Sequence, residues 1–264
     1  MSHVPHALSI ALRRMSTLCV AACLMSAHDA GAASSILIAP VDPKLFAENR
    51  SVAIWLENRG KQNVALQIRV LGWVQQQGLD GYREQADVVA SPPAATVVPG
   101  QKQMIRIIKA TEPAPGAEQA YRVIVDEIPM PGAQDTRDGV GIRFQMRYSV
   151  PLFVYGRGLW IRDPVLKDGK GKPGQPVLNY MIESEGGQQR IGIRNIGPVH
   201  ARISAASFVD ASGREHELAA GLLGYVLPGA SMHWPLPAGV NPAGMTFKAK
   251  INDEPERWVL RAPP

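Results

Sequence analysis

The residue types that most often do chemistry are present in this chain, but their spacing does not indicate a reactive site. The three histidines that follow the N-terminal segment are His200, His216 and His233, which are far apart and have no ligand-spaced partner. Because a zinc or similar site needs several His, Cys or acidic ligands brought together, we expect no metal site. The serines lack the Gly-x-Ser-x-Gly turn of many hydrolases, and no catalytic triad is indicated.

Two other patterns that could suggest catalysis or nucleotide binding have simpler structural interpretations. Asp126 and Glu127 are adjacent on a predicted strand, so their carboxylates point to opposite faces and are poorly placed to act together. The stretch Gly169-Lys-Gly-Lys-Pro-Gly174 matches the dinucleotide motif in letters only. That motif needs a strand before it and a helix after it, whereas Pro173 favours a loop. We therefore predict a protein that is not an enzyme and uses no cofactor.

Charge and hydropathy exclude further classes of partner. The 264 residues are 45% hydrophobic and 19% charged, with 28 cations against 23 anions. The excess of positive charge is mild and no basic run stands out, so we expect no nucleic-acid partner. After the N-terminal segment no apolar run approaches the roughly 18 residues of a membrane-spanning helix, so we expect no stable membrane insertion.

The first 33 residues resemble an export signal. Arg13 and Arg14 precede an apolar run, and Ala30-Gly-Ala-Ala33 supplies the small residues that a signal peptidase requires. We predict a cleavable signal peptide over residues 1–33 and an exported mature protein. Both cysteines lie within it, so the mature chain would contain no disulfide. A lipid anchor on Cys23 is the alternative, because Val20-Ala-Ala-Cys23 also resembles a lipoprotein cleavage box.

Short alternating stretches dominate the rest of the chain and predict an all-β fold. Strands are indicated at residues 51–57, 64–73, 103–108 and 121–128, separated by turn signals. Proline (22) and glycine (25) are frequent, and amphipathic helical repeats are absent. Strands at this spacing are typical of an immunoglobulin-like sandwich. Gly156-Arg-Gly158 interrupts the pattern, so we predict one sandwich over residues 34–155 and a shorter one over residues 156–264.

One predicted strand is much longer than the others. Between residues 140 and 150 every even position is apolar or aromatic and every odd one is glycine or polar. A strand that only fills a sandwich core usually has about 5 to 6 residues. Either this strand crosses a long sheet, or part of its apolar row is kept for another molecule. The row consists of Val140, Ile142, Phe144, Met146, Tyr148 and Val150.

Several short motifs, spread over nearly the whole mature chain, together resemble one family. They are Asn58-Arg-Gly60, Gln67-Ile-Arg-Val70 with Trp73, Ala90-Ser-Pro-Pro93, Pro99-Gly100 with Ile105-Arg106, Tyr121-Arg122, Asp126-Glu-Ile-Pro129, Ser149-Val-Pro-Leu-Phe153 and Gly224-Tyr-Val-Leu-Pro-Gly229 with Trp234. Their order and spacing are similar to those of the periplasmic chaperones of pilus assembly in the chaperone-usher pathway, specifically its archaic branch. Each motif alone is weak, and the match depends on the set.

This resemblance implies a fold and a function. Members of the family are two immunoglobulin-like domains in an L-shaped arrangement, and they bind, fold and cap pilin subunits before delivery to an outer-membrane usher. A pilin lacks its final strand, and the chaperone lends its own. By this interpretation the even row from Val140 to Val150 is the donor strand, which pairs through its main chain and fills the pilin core with its side chains. The alternative is that the row packs in this chain's own core.

The resemblance also implies cations that hold the C-terminal carboxylate of the subunit. Family members use two, of which one falls on Pro151 here and the other near Pro43-Lys44, so this chain departs from the family pattern at the first of these positions. A buried carboxylate still requires charge-assisted donors. Arg106, a lone cation in an apolar strand, is our first candidate, followed by Arg147 and Lys44. For each the alternative is a solvated surface cation.

Two further expectations concern partners. An exposed strand edge with an apolar row is prone to aggregation, so the free protein could mask it by self-association. A rival interpretation from another class is an exported carbohydrate-binding or adhesive sandwich. That function usually requires aromatic and polar residues gathered in loops at one end, whereas the aromatic residues of this chain lie mainly within strand patterns.

Overall fold

The chain is built from β-strands, with no helix among the residues that the structure describes. A computed structural model describes residues 36–129, 145–159, 174–237 and 239–260. Strands of the first half are β1 (Ile36–Ala39), β2 (Lys44–Leu45), β3 (Ser51–Asn58), β4 (Val64–Gln76), β5 (Leu79–Arg83), β6 (Val88–Ser91), β7 (Ala94–Val97), β8 (Lys102–Lys109), β9 (Glu118–Ile128) and β10 (Arg147–Tyr155). Strands of the second half are β11 (Leu178–Glu185), β12 (Gln188–Asn195), β13 (Ala201–Val209), β14 (Glu215–Val226), β15 (Ser231–Pro235), β16 (Thr246–Ile251) and β17 (Arg257–Leu260). Within these ranges no helix could cross a membrane.

Strands β1 to β10 form two facing sheets. One has the order β1-β3-β8-β6, and the other has the order β2-β10-β9-β4-β5 with β7 paired to β4. Ile54 of β3 lies opposite Ile105 of β8, and both pack in one core with Leu66 and Val123 of the facing sheet. Since successive side chains of a strand alternate between faces, the period of two in the sequence is enough to direct these residues inward.

Strands β11 to β17 form the second pair of sheets, with the orders β11-β12-β15 and β14-β13-β16-β17. Phe208 and Phe247 are partners across β13 and β16, and their ring centroids are 5.1 Å apart in the core. The prediction of an all-β chain with two sandwiches is confirmed. The boundary between residues 155 and 156 falls just after β10 and remains our proposed domain boundary.

The two sandwiches share a hydrophobic core. Trp73, Phe153 and Tyr155 belong to the first sandwich by sequence, but they cluster with the core residues of the second. Phe153 stacks on His200 with 3.4 Å between the ring centroids, and Tyr155 stacks on Phe46. Phe153 of β10 therefore contacts the second half of the chain, and Tyr155 lies in the same hydrophobic cluster.

Polar contacts reinforce this connection. The side-chain amide of Gln75 donates to the Tyr225 carbonyl at 3.0 Å and accepts from the Leu227 N–H at 2.8 Å. The fully buried carboxylate of Glu118 accepts the His200 N–H at 3.0 Å and lies 2.8 Å from Nδ1 of the same residue. These contacts satisfy buried polar groups of both sandwiches at once.

Each sandwich contains a buried asparagine that closes a turn. Asn58 and Asn195 are both 0% exposed, and each is followed two residues later by a glycine. The amide of Asn58 donates to the carbonyls of Gln62 and Val97, and its oxygen accepts the Gly60 N–H. Asn195 repeats this pattern with Val199, Val226 and Gly197. A buried main-chain group without a partner is costly, so each asparagine stabilises its turn.

Asn58→Ala and Asn195→Ala are each expected to lower the free energy of unfolding by about 3 kcal/mol or more. Each change leaves buried main-chain groups unpaired, at a cost of about 1–3 kcal/mol per group. Urea denaturation of the purified protein would measure the loss. Asn63→Ala, which changes an exposed residue of the first turn, is the matched control. A loss no larger than that of this control would contradict the role we give to the buried amides.

Candidate functional site

The outer edge of β10 is unpaired over most of its length among the described residues. On its inner side β10 pairs with β9 along all nine residues. On its outer side β2 runs parallel to it and covers only Phe153 and Val154. Residues 147–152 therefore present main-chain groups that no described strand uses. An edge of this kind is a template for a strand from another molecule.

The apolar row that the sequence predicts is divided between two environments. Val150 is 6% exposed and packs in the core of the first sandwich, and Tyr148 is half-buried against the same core. Met146 is 45% exposed and precedes the first residue of β10. The other three members, Val140, Ile142 and Phe144, lie outside the described residues.

Arg147 lies opposite Asp126 on β9 and forms an ion pair with it. Arg69 of β4 binds the same carboxylate at 2.8 Å. Burial alone would raise the pKa of Asp126, but the hydrogen bonds from Arg147 and Arg69 outweigh it and lower that pKa. Arg147 is thus already paired with a carboxylate within the chain.

Arg106 lies away from the other two predicted anchors. It is exposed on the outer face of β8, between Ala53 of β3 and Ser91 of β6. Strand β8 belongs to the sheet opposite the one that contains β10. The structure therefore does not bring Arg106 together with Lys44 or with the free edge.

Lys44 lies in a cleft between the two sandwiches, where the free edge of β10 ends. Lys44 belongs to β2 and pairs with Phe153 of β10, and its side chain is 14% exposed. Its Nζ is 3.1 Å from Oδ2 of Asp253, and Arg202 donates to the other oxygen of that carboxylate at 2.6 Å. The cavity beside these groups has a volume of about 230 Å³ and is lined by Phe153 and Tyr225.

Arg202 is a cleft cation that is not among the sequence-predicted anchors. It follows Ala201 and precedes Ile203 on β13, so it is also a lone cation in an apolar stretch. The same sequence pattern, one cation between apolar residues, makes Arg106 the first candidate. This pattern identifies cations that face away from a core, but only the arrangement of the sheets shows which of them faces a cleft.

Among the described residues no group of three or more His, Cys, Asp and Glu side chains could hold a metal ion. The three histidines each lie beside a different carboxylate. The pairs are His200 with Glu118, His216 with Asp210 and His233 with Glu183. Such pairs orient the ring and join neighbouring strands.

Comparison with protein families gives a match to the first sandwich. Residues 44–159 match the family described as pili and flagellar-assembly chaperone, PapD N-terminal domain. No curated protein sequence matches the chain. The matched segment contains β2 to β10, and therefore both Lys44 and the free edge.

Solved structures give matches along most of the chain. One is in the CsuC-CsuE chaperone-tip adhesion subunit pre-assembly complex of the archaic chaperone-usher Csu pili of Acinetobacter baumannii, with 30% identity, a TM-score of 0.68 and coverage of 87% of this chain and 100% of that one. The E. coli chaperone DraB matches with 17% identity and a TM-score of 0.54, covering 86% and 97% of the two chains. The Pseudomonas aeruginosa CupB2 chaperone matches with 16% identity and a TM-score of 0.52, covering 84% and 97%. The last two show a shared fold.

Proposed function

Since the chain belongs to the family of pilus-assembly chaperones of the chaperone-usher pathway, in its archaic branch, we propose that it captures pilin subunits by lending them the segment that runs from Val140 into the first residues of β10. The family is periplasmic and non-enzymatic. A pilin partner is supported by the Acinetobacter complex, in which a chaperone is joined to a tip subunit. The comparisons do not favour the carbohydrate-binding alternative.

The unpaired outer edge of β10 is the observation that carries this proposal. Its inner edge is fully paired with β9, so the strand is already ordered before a partner arrives. An incoming strand would then complete a second ladder without the entropy cost of ordering β10 itself. Main-chain pairing is tolerant of sequence, which suits a chaperone that accepts several related subunits.

We assign the inserted side chains to the row from Val140 to Tyr148. Met146 is 45% exposed, so its side chain is available to a partner. Val140, Ile142 and Phe144 continue the same alternation. We leave Val150 out of this row because its side chain is buried within the core of the first sandwich, and withdrawing it would open a cavity there, whereas Tyr148 is only half-buried at the edge of that core.

We propose Lys44 and Arg202 as the cations that bind the C-terminal carboxylate of the subunit. A subunit strand that runs in the same direction as β10 would end against β2, where Lys44 faces the cleft. In the free chaperone both cations bind Asp253, so the incoming carboxylate would exchange with that side chain. Arg147 is a second choice because Asp126 holds it, and the position of Arg106 does not favour it.

The remaining steps follow from the same proposal. Residues 1–33, which lie outside the described residues, would direct export to the periplasm and then be cleaved off, and the mature domains would be residues 34–155 and 156–264. It would deliver subunits to an outer-membrane usher without a cofactor or a catalytic step. Self-association through the free edge would protect the chaperone until a subunit binds.

Hydrogen exchange would test the proposal directly. We expect the outward-facing amides between residues 139 and 150 to gain strong protection when a subunit is bound, because they find partners on its last strand. The comparison is between the free chaperone and the complex that co-purifies from the periplasm. Identical exchange in the two states would exclude β10 as the subunit-binding edge.

Recovery of partners would separate the two classes of function. A tagged chaperone should retain a small β-rich subunit in stoichiometric amount from a periplasmic extract. Retention on a glycan array that free sugar abolishes, with no bound subunit, would instead support the carbohydrate-binding module.

A further inference from the structure

A proline stands within the lent strand itself. Pro151 is the fifth of the nine residues of β10, and it pairs with Arg122 of β9. Proline has no main-chain N–H, so within a sheet it is tolerated where that group would face away from the neighbouring strand. Which edge of β10 lacks an N–H group at Pro151 therefore depends on which residues direct their main-chain groups toward β9.

Hydrogen bonds at both ends of the ladder fix this orientation. The Met146 carbonyl accepts from the Glu127 N–H at 3.0 Å, and the Gly156 N–H donates to the Ala117 carbonyl at 2.8 Å. Even-numbered residues thus direct their main-chain groups toward β9. Odd-numbered residues direct theirs to the outer edge, as the 3.5 Å contact from the Phe153 N–H to the Pro43 carbonyl shows. Pro151 is odd-numbered, so its missing donor belongs to the outer edge.

The outer edge consequently has a limited set of donors among the described residues of β10. The N–H groups of Arg147 and Ser149 face outward and no described strand uses them. Pro151 offers only its carbonyl, and the Phe153 N–H already faces Pro43. Ser149 is therefore the last residue of this edge that can donate to an incoming carbonyl.

We propose that Pro151 is a register stop that determines where a subunit strand ends on the chaperone. This inference rests on the proposed function, and it adds a rule of specificity to it. An incoming carbonyl that reaches Pro151 finds no donor, whichever direction its strand runs, so pairing past Ser149 is disfavoured. Two residues further on, β2 pairs with the edge at Phe153, and Lys44 of β2 provides a charged donor there.

The stop selects subunits by length as well as by sequence. A chain whose last residue follows closely on its final paired position can place its terminal carboxylate at the cleft cations. A chain that continues further must pass an edge without a donor and then collide with β2. The preferred partner is thus a β-strand with a free carboxylate directly at its end.

Two opposite substitutions test the stop. Pro151→Val adds an outward N–H at similar side-chain volume, and we expect it to prolong the lifetime of the complex roughly 2- to 10-fold. Ser149→Pro removes the last donor and is expected to shorten the lifetime by a similar factor. The probe is the subunit that co-purifies with the tagged wild-type chaperone. Pro151→Ala is a second donor-restoring variant if valine disturbs the fold.

Hydrogen exchange at the new amide separates failure of this inference from failure of the proposed function. In the Pro151→Val variant we expect the main-chain amide at position 151 to exchange rapidly in the free monomeric chaperone and slowly in the complex. Protection already present in the free monomer would overturn the stop, since it would place this N–H away from the open edge. An unchanged lifetime in both variants, while the wild-type complex protects the amides of residues 147 and 149, would also overturn the stop but leave the proposed function intact. If the wild-type chaperone binds no subunit at all, the proposed function itself is contradicted.

A subunit with two residues added after its last position provides a further arm. Wild-type chaperone should bind this subunit at least tenfold more weakly than the natural one, and Pro151→Val should recover part of the difference. Equal binding of the two subunits by wild-type chaperone would show that the chaperone does not discriminate between subunits by the length of their last strand.

Discussion

Met146→Asp is expected to abolish subunit capture while the chaperone stays folded. The substitution would carry a charge into the apolar groove of the subunit, at a cost of several kcal/mol, which corresponds to roughly a hundredfold loss of affinity or more. The chaperone itself should tolerate it, because Met146 is 45% exposed and lies just before β10. Co-purification of the subunit would report capture, and urea unfolding would report stability.

Two variants make this test specific. Met181→Asp changes an equally exposed methionine, 47% exposed on β11, and should leave capture unchanged. Val150→Asp should instead unfold the chaperone, because that side chain lies in the core. Phe144→Asp is expected to behave like Met146→Asp. If Met146→Asp itself unfolds the protein, the row belongs to the core of this chain and its assignment to the subunit is wrong.

Lys44→Met is expected to weaken subunit capture by about 2–5 kcal/mol, because it leaves a desolvated carboxylate without one of its two cations. Methionine keeps much of the length and apolar stem of lysine, so packing beside Phe153 should change little. Titration calorimetry or competition binding would give the change in affinity. Arg202→Met should have an effect of similar size from the other side of the cleft.

A double-mutant cycle identifies the partner of these cations. When the terminal carboxylate of the subunit is amidated, Lys44→Met should cause little further loss, since the two changes remove one interaction. Full additivity would show that Lys44 does not bind that carboxylate. Arg106→Met is the matched control, and we expect a small effect because Arg106 lies on the far sheet.

Strands were predictable here because their signal is local. The alternation indicates strands at residues 51–57 and 64–73, and the structure has β3 (Ser51–Asn58) and β4 (Val64–Gln76). The described end of β10 differs from the expectation. The pattern favours a strand from Val140 to Val150, of which residues 140–144 lie outside the described residues. Within the described part, β10 begins at Arg147 and continues past the predicted end, through Pro151 to Tyr155. A proline on an outward-facing position does not interrupt the inner ladder, which periodicity alone cannot show.

The site was less predictable because its parts are brought together by the tertiary fold. The alternation of side chains along a strand shows that Arg106 faces away from Ile105 and Ile107, but it does not show that this face is exposed to solvent. Lys44 and Arg202 belong to different sandwiches, and only the packing of the two halves places both beside Asp253. The burial of Val150 also depends on the opposite sheet. The apolar row is continuous in sequence, but in the structure Val150 is buried whereas Met146 is exposed.

The unequal pairing of β10 has a mechanical consequence for release. Its inner ladder with β9 extends over nine residues, and Phe153 and Tyr155 anchor the same strand in the shared core. Along β10 itself, a strand on the outer edge would form far fewer main-chain bonds, since only the N–H groups of Arg147 and Ser149 face it before Pro151 and β2. When force is applied to a bound subunit, we therefore expect these outer contacts to rupture before the inner ladder. The chaperone would then release its subunit without losing its own strand.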